Sequence, residues 1–158
     1  MDTKEVFIEY WPMVLRRCRQ LLGDAEGAAD AAQDVFVKIC GMQRYMNAEH
    51  LSKLLWRMAT NRCLNVIRSR AVRAKEPDRE SLLERIACSD NSQDRCMNRD
   101  VLRKLFGSHP ESSRVIAVLH LVDGMTLKET AREVNMSVSG VRKRLRALRE
   151  TLTELENI

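Results

Sequence analysis

The stretch from Thr126 to Leu155 most strongly constrains the fold, because its apolar residues repeat at helical spacing on both sides of a short polar break. After the break, five apolar residues recur at alternating steps of four and three and therefore share one helix face: Val141, Leu145, Leu148, Leu152 and Leu155. Before the break, Thr126 and Glu129 form a capping-box pattern. Asn135 stands where a turn needs a left-handed residue, a conformation that Asn tolerates well. The stretch predicts two helices joined by a tight turn.

The second of these helices carries a basic side made of five residues: Arg142, Lys143, Arg144, Arg146 and Arg149. Ser137 or Ser139 can cap its start. This arrangement is typical of a DNA-reading helix-turn-helix, whose second helix enters the major groove by its N-terminal end. The alternative is an amphipathic helix pair with a solvated basic face, because charge runs are often only solvent faces.

The rest of the chain also follows helical spacing, with three prolines and no alternating strand run. Helices are expected over about 3–22, 25–40 and 51–73, with Pro12 disturbing the middle of the first and a loop at 41–50. Further helices are expected from 94 or 97 to 106 and from 110 to 122. Between 76 and 100, acidic residues outnumber basic ones, which indicates a linker. We therefore predict an all-α protein of two small domains, 1–75 and 96–158, joined by a flexible acidic linker, 76–95.

Composition indicates which kind of partner the chain binds and in which compartment it is expected. The net charge of +5 is a modest bias toward polyanions. No stretch approaches the roughly 18 apolar residues of a membrane span, and the charged first residues do not form a signal peptide, so no membrane insertion and a cytoplasmic location are expected.

The five cysteines are odd in number and lack CxxC spacing, which favours free thiols. Cys18, Cys40 and Cys63 fall in helical patterns and are expected in the core. A redox or metal role for Cys88 and Cys96 stays open, although no nearby histidine completes a site.

Catalytic signatures are absent from the sequence. We find no glycine-rich phosphate loop, HExxH, GxSxG or paired metal spacing. His50, His109 and His120 are scattered along the chain. A protein that is not an enzyme, with no cofactor and no metal, is therefore expected.

Three segments resemble motifs of one protein family. EGAADAAQDVFVKI at 26–39 resembles the A-x-D-x-x-Q-[DE]-x-F helix of bacterial RNA polymerase sigma factors of the extracytoplasmic-function group, group IV of the sigma-70 family. LLWRMATNRCLNVIRSR at 54–70 resembles their W-L-x-x-I-A-x-N-x-x-x-D-x-x-R helix, and residues 115–148 resemble their C-terminal helix-turn-helix module. The resemblance covers nearly the whole chain, in the family's order. It implies a factor whose first domain binds core RNA polymerase and opens the minus-ten element, and whose last domain reads the minus-thirty-five element.

The resemblance also implies roles for individual residues. The core-polymerase-binding residues would be Asp30, Gln33, Asp34 and Phe36, with Phe36 expected to be internal. The minus-ten DNA-binding residues would be Tyr45, Met46, Trp56, Asn61, Arg62, Asn65 and Arg68. The minus-thirty-five DNA-binding residues would be Ser139, Arg142, Lys143, Arg144 and Arg146. Trp56 could equally be a core residue.

The sequence departs from the family pattern at four positions. Asn65 stands in place of Asp, Leu54 of Trp, Thr130 of Ile and Gly140 of Thr. These changes leave the pattern recognisable but put the preferred promoter sequence in doubt.

The resemblance further implies control by an anti-sigma protein, either a membrane protein or a soluble one. One alternative is a stand-alone helix-turn-helix transcriptional regulator, which leaves the motifs at 26–39 and 54–70 unexplained. Another is an interaction protein that binds polymerase or an inhibitor without directing initiation, which the basic reading helix argues against.

Overall fold

The computed structural model describes residues 2–42, 49–73 and 93–157, with side chains from residue 99 onward in the last range. The chain divides into two compact units, Met1–Glu76 and Pro77–Ile158. The described residues form seven α-helices and no strand, in agreement with the all-α expectation. The domain limits expected at 75 and 96 stay predictions, and residues 76–92 of the expected linker lie outside the described ranges.

Unit 1 consists of three helices that pack against one another in pairs: α1 is Thr3–Leu22, α2 is Ala25–Cys40 and α3 is Leu51–Arg73. Asp2 begins α1 with a capping box completed by Glu5. Gly23 ends α1 in the left-handed conformation, with φ of 76°. Asp24 follows at once and caps α2 by accepting a hydrogen bond from the Gly27 N–H. The turn between α1 and α2 is therefore encoded in two neighbouring positions, Gly23 and Asp24.

Pro12 does not delay the start of α1, which begins at Thr3 and runs as one helix. The proline lies on the exposed side, and the residue one turn before it, Ile8, is 65% exposed. Water can therefore satisfy the carbonyl oxygen that loses its helical N–H partner.

The core of unit 1 combines aliphatic side chains with small residues on α2, where Ala28, Ala31 and Ala32 are buried. Cys18 and Cys63 are also fully buried, as expected, whereas Cys40 is only half-buried. A side-chain hydrogen bond from Cys63 lowers the pKa of Cys18, and the same bond, with burial, raises the pKa of Cys63. The two thiols therefore join α1 to α3 as hydrogen-bonded core residues.

Unit 2 contains the other four helices: α4 is Gln93–Gly107, α5 is Glu111–Ala117, α6 is Leu127–Val134 and α7 is Val138–Glu156. A π-helical turn, Val118–Val122, continues α5. Thr126 and Glu129 form the expected capping box, and Asn135 adopts the expected left-handed conformation, with φ of 56°. Ser137 caps α7 by accepting from the Gly140 N–H.

The buried faces of α5, α6 and α7 meet around Ile116, Ala131 and Val141. A second cluster joins α4, α5 and α7 through Leu105, Ala117 and Leu148. Of the predicted apolar repeat on α7, Val141 and Leu145 belong to the first cluster and Leu148 and Leu155 to the second, whereas Leu152 is exposed. No helix in the described ranges is both long enough and apolar enough to cross a membrane.

Candidate functional site

A groove of about 260 Å³ runs between α2 and α3. Nine residues line it: Gly27, Asp30, Ala31, Asp34, Arg62, Val66, Ser69, Arg70 and Arg73. Carboxylates come from α2 and guanidinium groups from α3. The groove therefore brings residues of the polymerase-docking prediction beside Arg62 of the minus-ten prediction.

One ion pair in the groove joins Asp34 to Arg62. Nε and Nη2 of Arg62 both approach Oδ2 of Asp34, at 2.8 Å and 2.7 Å. The Asp34 side chain is 51% exposed and the Arg62 side chain 43% exposed. Because both contacts end on one oxygen and water reaches both groups, this pair contributes little to folding.

A second ion pair, between Asp24 and Arg70, has a different geometry. Nη1 of Arg70 lies 2.9 Å from Oδ1 of Asp24, and Nη2 lies 3.4 Å from Oδ2. Both side chains are less than one-third exposed, and Asp24 also caps α2. This forked pair fixes the start of α2 against α3. The sequence indicates the cap but not its arginine partner, because 46 positions separate the two residues.

The remaining polymerase-docking candidates lie on α2. Asp30 and Gln33 are exposed, whereas Phe36 is only 4% exposed, as the sequence predicted. Phe7 and Trp11 of α1 cover Phe36, with ring centres 5.1 Å and 5.7 Å from its ring. Phe36 therefore packs α2 against α1 and is not part of the exposed side of α2.

The minus-ten candidates on α3 form an exposed row. Asn61, Asn65 and Arg68 are spaced at steps of four and three, so they share one face, and all three are exposed. Nη1 of Arg68 donates to Oδ1 of Asn65 at 3.2 Å. Tyr45 and Met46 lie outside the described residues.

Trp56 does not share that face. At about 100° per residue, it lies about 140° around α3 from Asn61. The Arg17 guanidinium carbon is 4.3 Å from the centre of the Trp56 ring. This geometry favours the alternative in which Trp56 packs within the unit, although the ring remains 38% exposed.

Arg17 is the residue that sequence reasoning missed most clearly. It is 1% exposed, and its Nε donates to Oγ1 of Thr60 at 3.0 Å. A second bond joins Nη1 to Oε1 of Gln20 at 2.9 Å. Helical periodicity assigns charged residues to the surface, and no local signal marks this one as buried.

The minus-thirty-five candidates at the start of α7 divide into two kinds. Ser139, Arg142, Lys143 and Arg146 are exposed. Arg144 is half-buried, and its Nη1 donates to the hydroxyl oxygens of two α5 serines, Ser112 and Ser113, at 3.1 Å and 3.3 Å. In this conformation Arg144 ties α7 to α5.

Thr130 of α6 occupies the position where the sigma-factor motif has Ile. It is fully buried, and its Oγ1 has no hydrogen-bond partner within the part of the chain that the structure describes. Among the same residues no group of His, Cys, Asp and Glu side chains is arranged to hold a metal ion.

Residues 6–73 match the family model of sigma-70 region 2. The match spans α1, α2 and α3 and includes the whole groove. The likeness is confined to unit 1. In the sigma-70 family, region 2 is the part that binds core RNA polymerase. No curated protein sequence matches the chain.

Proposed function

We propose that this chain is an extracytoplasmic-function sigma factor that binds core RNA polymerase and directs promoter-specific initiation, without enzymatic activity. The observation that carries the proposal is the region 2 match across the three helices that build the α2–α3 groove. Candidate docking residues on α2 lie next to a DNA-binding candidate, Arg62, on α3.

In unit 1, Asp30, Gln33 and Asp34 present carboxylate and amide groups on the exposed side of α2. These groups suit a basic surface on polymerase. Asn61, Asn65 and Arg68 present amide and guanidinium groups to the minus-ten DNA. Amides can hydrogen-bond unstacked bases, while guanidinium groups hold phosphates.

In unit 2, α6 and α7 are proposed as the helix-turn-helix that reads the minus-thirty-five element. Ser139, Arg142 and Lys143 lie exposed in the first turns of α7, the end that enters a major groove. Arg146, one turn later, is suited to a phosphate. Arg144 contributes by holding α7 against α5 through its two serine bonds.

Control by an anti-sigma protein and action in the cytoplasm are part of the same proposal. An inhibitor that covers α2 or the start of α7 would block polymerase docking or DNA reading. The inhibitor could be a membrane protein or a soluble one.

The test is transcription by core polymerase on a promoter library, with and without the protein. Transcripts from a defined subset of promoters, obtained only when the protein is added, are expected. Duplex binding with no added transcription would instead support a stand-alone regulator. Core association without transcription or duplex binding would support a protein that only occupies polymerase.

A further inference from the structure

The Asp34–Arg62 pair links a residue of the polymerase-docking prediction to a residue of the DNA-binding prediction. We propose that Asp34 restrains Arg62 in the free protein and competes with DNA phosphate for its guanidinium group. The contact is an intramolecular brake on DNA binding by unit 1. This inference rests on the proposed function.

The geometry makes the pair exchangeable. Both Arg62 contacts end on Oδ2 of Asp34, and both side chains are about half exposed. A phosphate offers several acceptor oxygens and can receive a guanidinium in the forked manner that Asp34 does not use here. An arriving phosphate can therefore replace the carboxylate without any helix moving.

The neighbouring pair shows the contrast. Asp24 and Arg70 use both carboxylate oxygens, lie less than one-third exposed, and combine ion pairing with the α2 cap. Breaking that pair would loosen the start of α2. The Asp24–Arg70 pair therefore has a structural role, whereas the Asp34–Arg62 pair can exchange its carboxylate for a phosphate.

The position of Arg62 fits a phosphate-binding role after release. On α3 it lies one residue after Asn61 and one turn before Asn65 and Val66, so it borders the exposed DNA-facing row. Ser69 and Arg73 continue the same groove wall toward the end of the helix. While Arg62 is neutralised by Asp34, this edge of the DNA-binding surface presents less positive charge.

The contact between Asp34 and Arg62 also indicates how Arg62 would be released when polymerase binds. A basic group of polymerase that binds Asp34 would weaken its hold on Arg62. Linkage then requires that DNA binding through Arg62 also favours polymerase docking at Asp34, by the same factor.

The experiment measures binding of the free full-length chain to a labelled single-stranded oligothymidine of about 20 nucleotides, a sequence-independent probe for the unit 1 surface. We expect Asp34→Asn to raise the affinity about two- to fivefold at low salt, the range of an exposed ion pair. The dependence on salt should steepen by about one phosphate contact. Both effects should depend on Arg62.

Asp30→Asn is the matched control, because Asp30 lies exposed in the same groove and its substitution removes the same charge. We expect it to raise the affinity less than Asp34→Asn does. In an Arg62→Gln background, the two substitutions should have equal effects. Equal effects of D34N and D30N in the wild-type background, or an undiminished D34N gain beside R62Q, would overturn the proposal.

The outcome is separable from the test of the proposed function. Binding is measured without polymerase, whereas the function is tested by transcript formation. Promoter-specific transcription, together with no Arg62-dependent gain in DNA affinity, would refute the brake and leave the proposed sigma-factor function intact. An Arg62-dependent gain in DNA affinity without any transcription would support the competition between Asp34 and phosphate and contradict the proposed sigma-factor function.

Discussion

The buried arginine of unit 1 leads to a prediction about stability. Arg17 is 1% exposed, and its Nε donates to Oγ1 of Thr60, which is itself 3% exposed. The Thr60→Val substitution keeps the side-chain shape but removes the acceptor. A hydrogen bond to a charged group is worth about 1.5–3 kcal/mol, and T60V removes this one by removing its acceptor. We therefore expect T60V to reduce the free energy of unfolding of unit 1 by about 2 kcal/mol.

Removing the Arg17 guanidinium group should reduce the free energy of unfolding less than removing its hydrogen-bond acceptor. Arg17→Met eliminates the donors together with the desolvation cost of the guanidinium group, and such replacements are often close to neutral. Thr60 Oγ1 would keep its bond to the Trp56 carbonyl oxygen, at 3.0 Å. In the Arg17→Met background we expect T60V to reduce the free energy of unfolding by less than about 0.5 kcal/mol, because the guanidinium donor is then absent.

Urea denaturation followed by tryptophan fluorescence measures this effect selectively, because both tryptophans of the chain, Trp11 and Trp56, lie in unit 1. With a slope of about 1 kcal/mol/M, T60V should lower the midpoint by about 2 M. The reasoning would be refuted if T60V cost as much beside R17M as it does alone. A T60V midpoint equal to that of the wild type would also contradict it.

Four further variants test other parts of the molecule. Thr130→Val should raise the unfolding free energy of unit 2 by about 1 kcal/mol, because it removes a buried hydroxyl without a described partner; a lower midpoint by circular dichroism would contradict this. Gly27→Ala should destabilise unit 1, because its Cβ would clash with both the Arg70 guanidinium and the Asp24 carboxylate and so disrupt the forked ion pair and the α2 cap; an unchanged fluorescence midpoint would contradict it. Arg142→Ala with Lys143→Ala should weaken duplex promoter binding and lower its salt slope by about two while core association is kept, and equal promoter affinity in the variant would contradict the role. Asn61→Ala should reduce permanganate reactivity of the minus-ten element with core binding intact, and wild-type reactivity would count against it.

Much of the fold follows from local sequence signals. Capping at Asp24 and Thr126 and the left-handed turn at Asn135 are properties of short segments, and each appears in the structure as expected. The apolar repeat after the turn is confirmed in part, since Val141 and Leu148 are buried whereas Leu152 is exposed. Pro12 shows the limit of such signals. Its effect depends on whether the freed carbonyl faces solvent, which requires knowing how α1 packs.

The candidate site also combines features that the sequence indicates with contacts that only the structure shows. The sequence indicates which residues of α2 and α3 carry amides and charges, and helical spacing places Asn61, Asn65 and Arg68 on one face. It could not indicate that Asp34 holds Arg62, nor that Arg144 is bonded to the α5 serines. These contacts join residues 28 to 32 positions apart, and periodicity along one helix contains no information about them.

By itself the sequence determined the helices, their caps and the chemical character of each exposed face, because those depend on neighbours within a turn or two. Only the tertiary structure decided which charges are available to a partner. Arg17 is buried among Thr60 and Gln20, Arg70 forms a forked ion pair with Asp24, and Arg62 forms a half-exposed ion pair with Asp34, although all three are arginines in helical patterns. The physical reason is that the role of a guanidinium group depends on its burial and on the acceptors it meets, and packing between helices sets both.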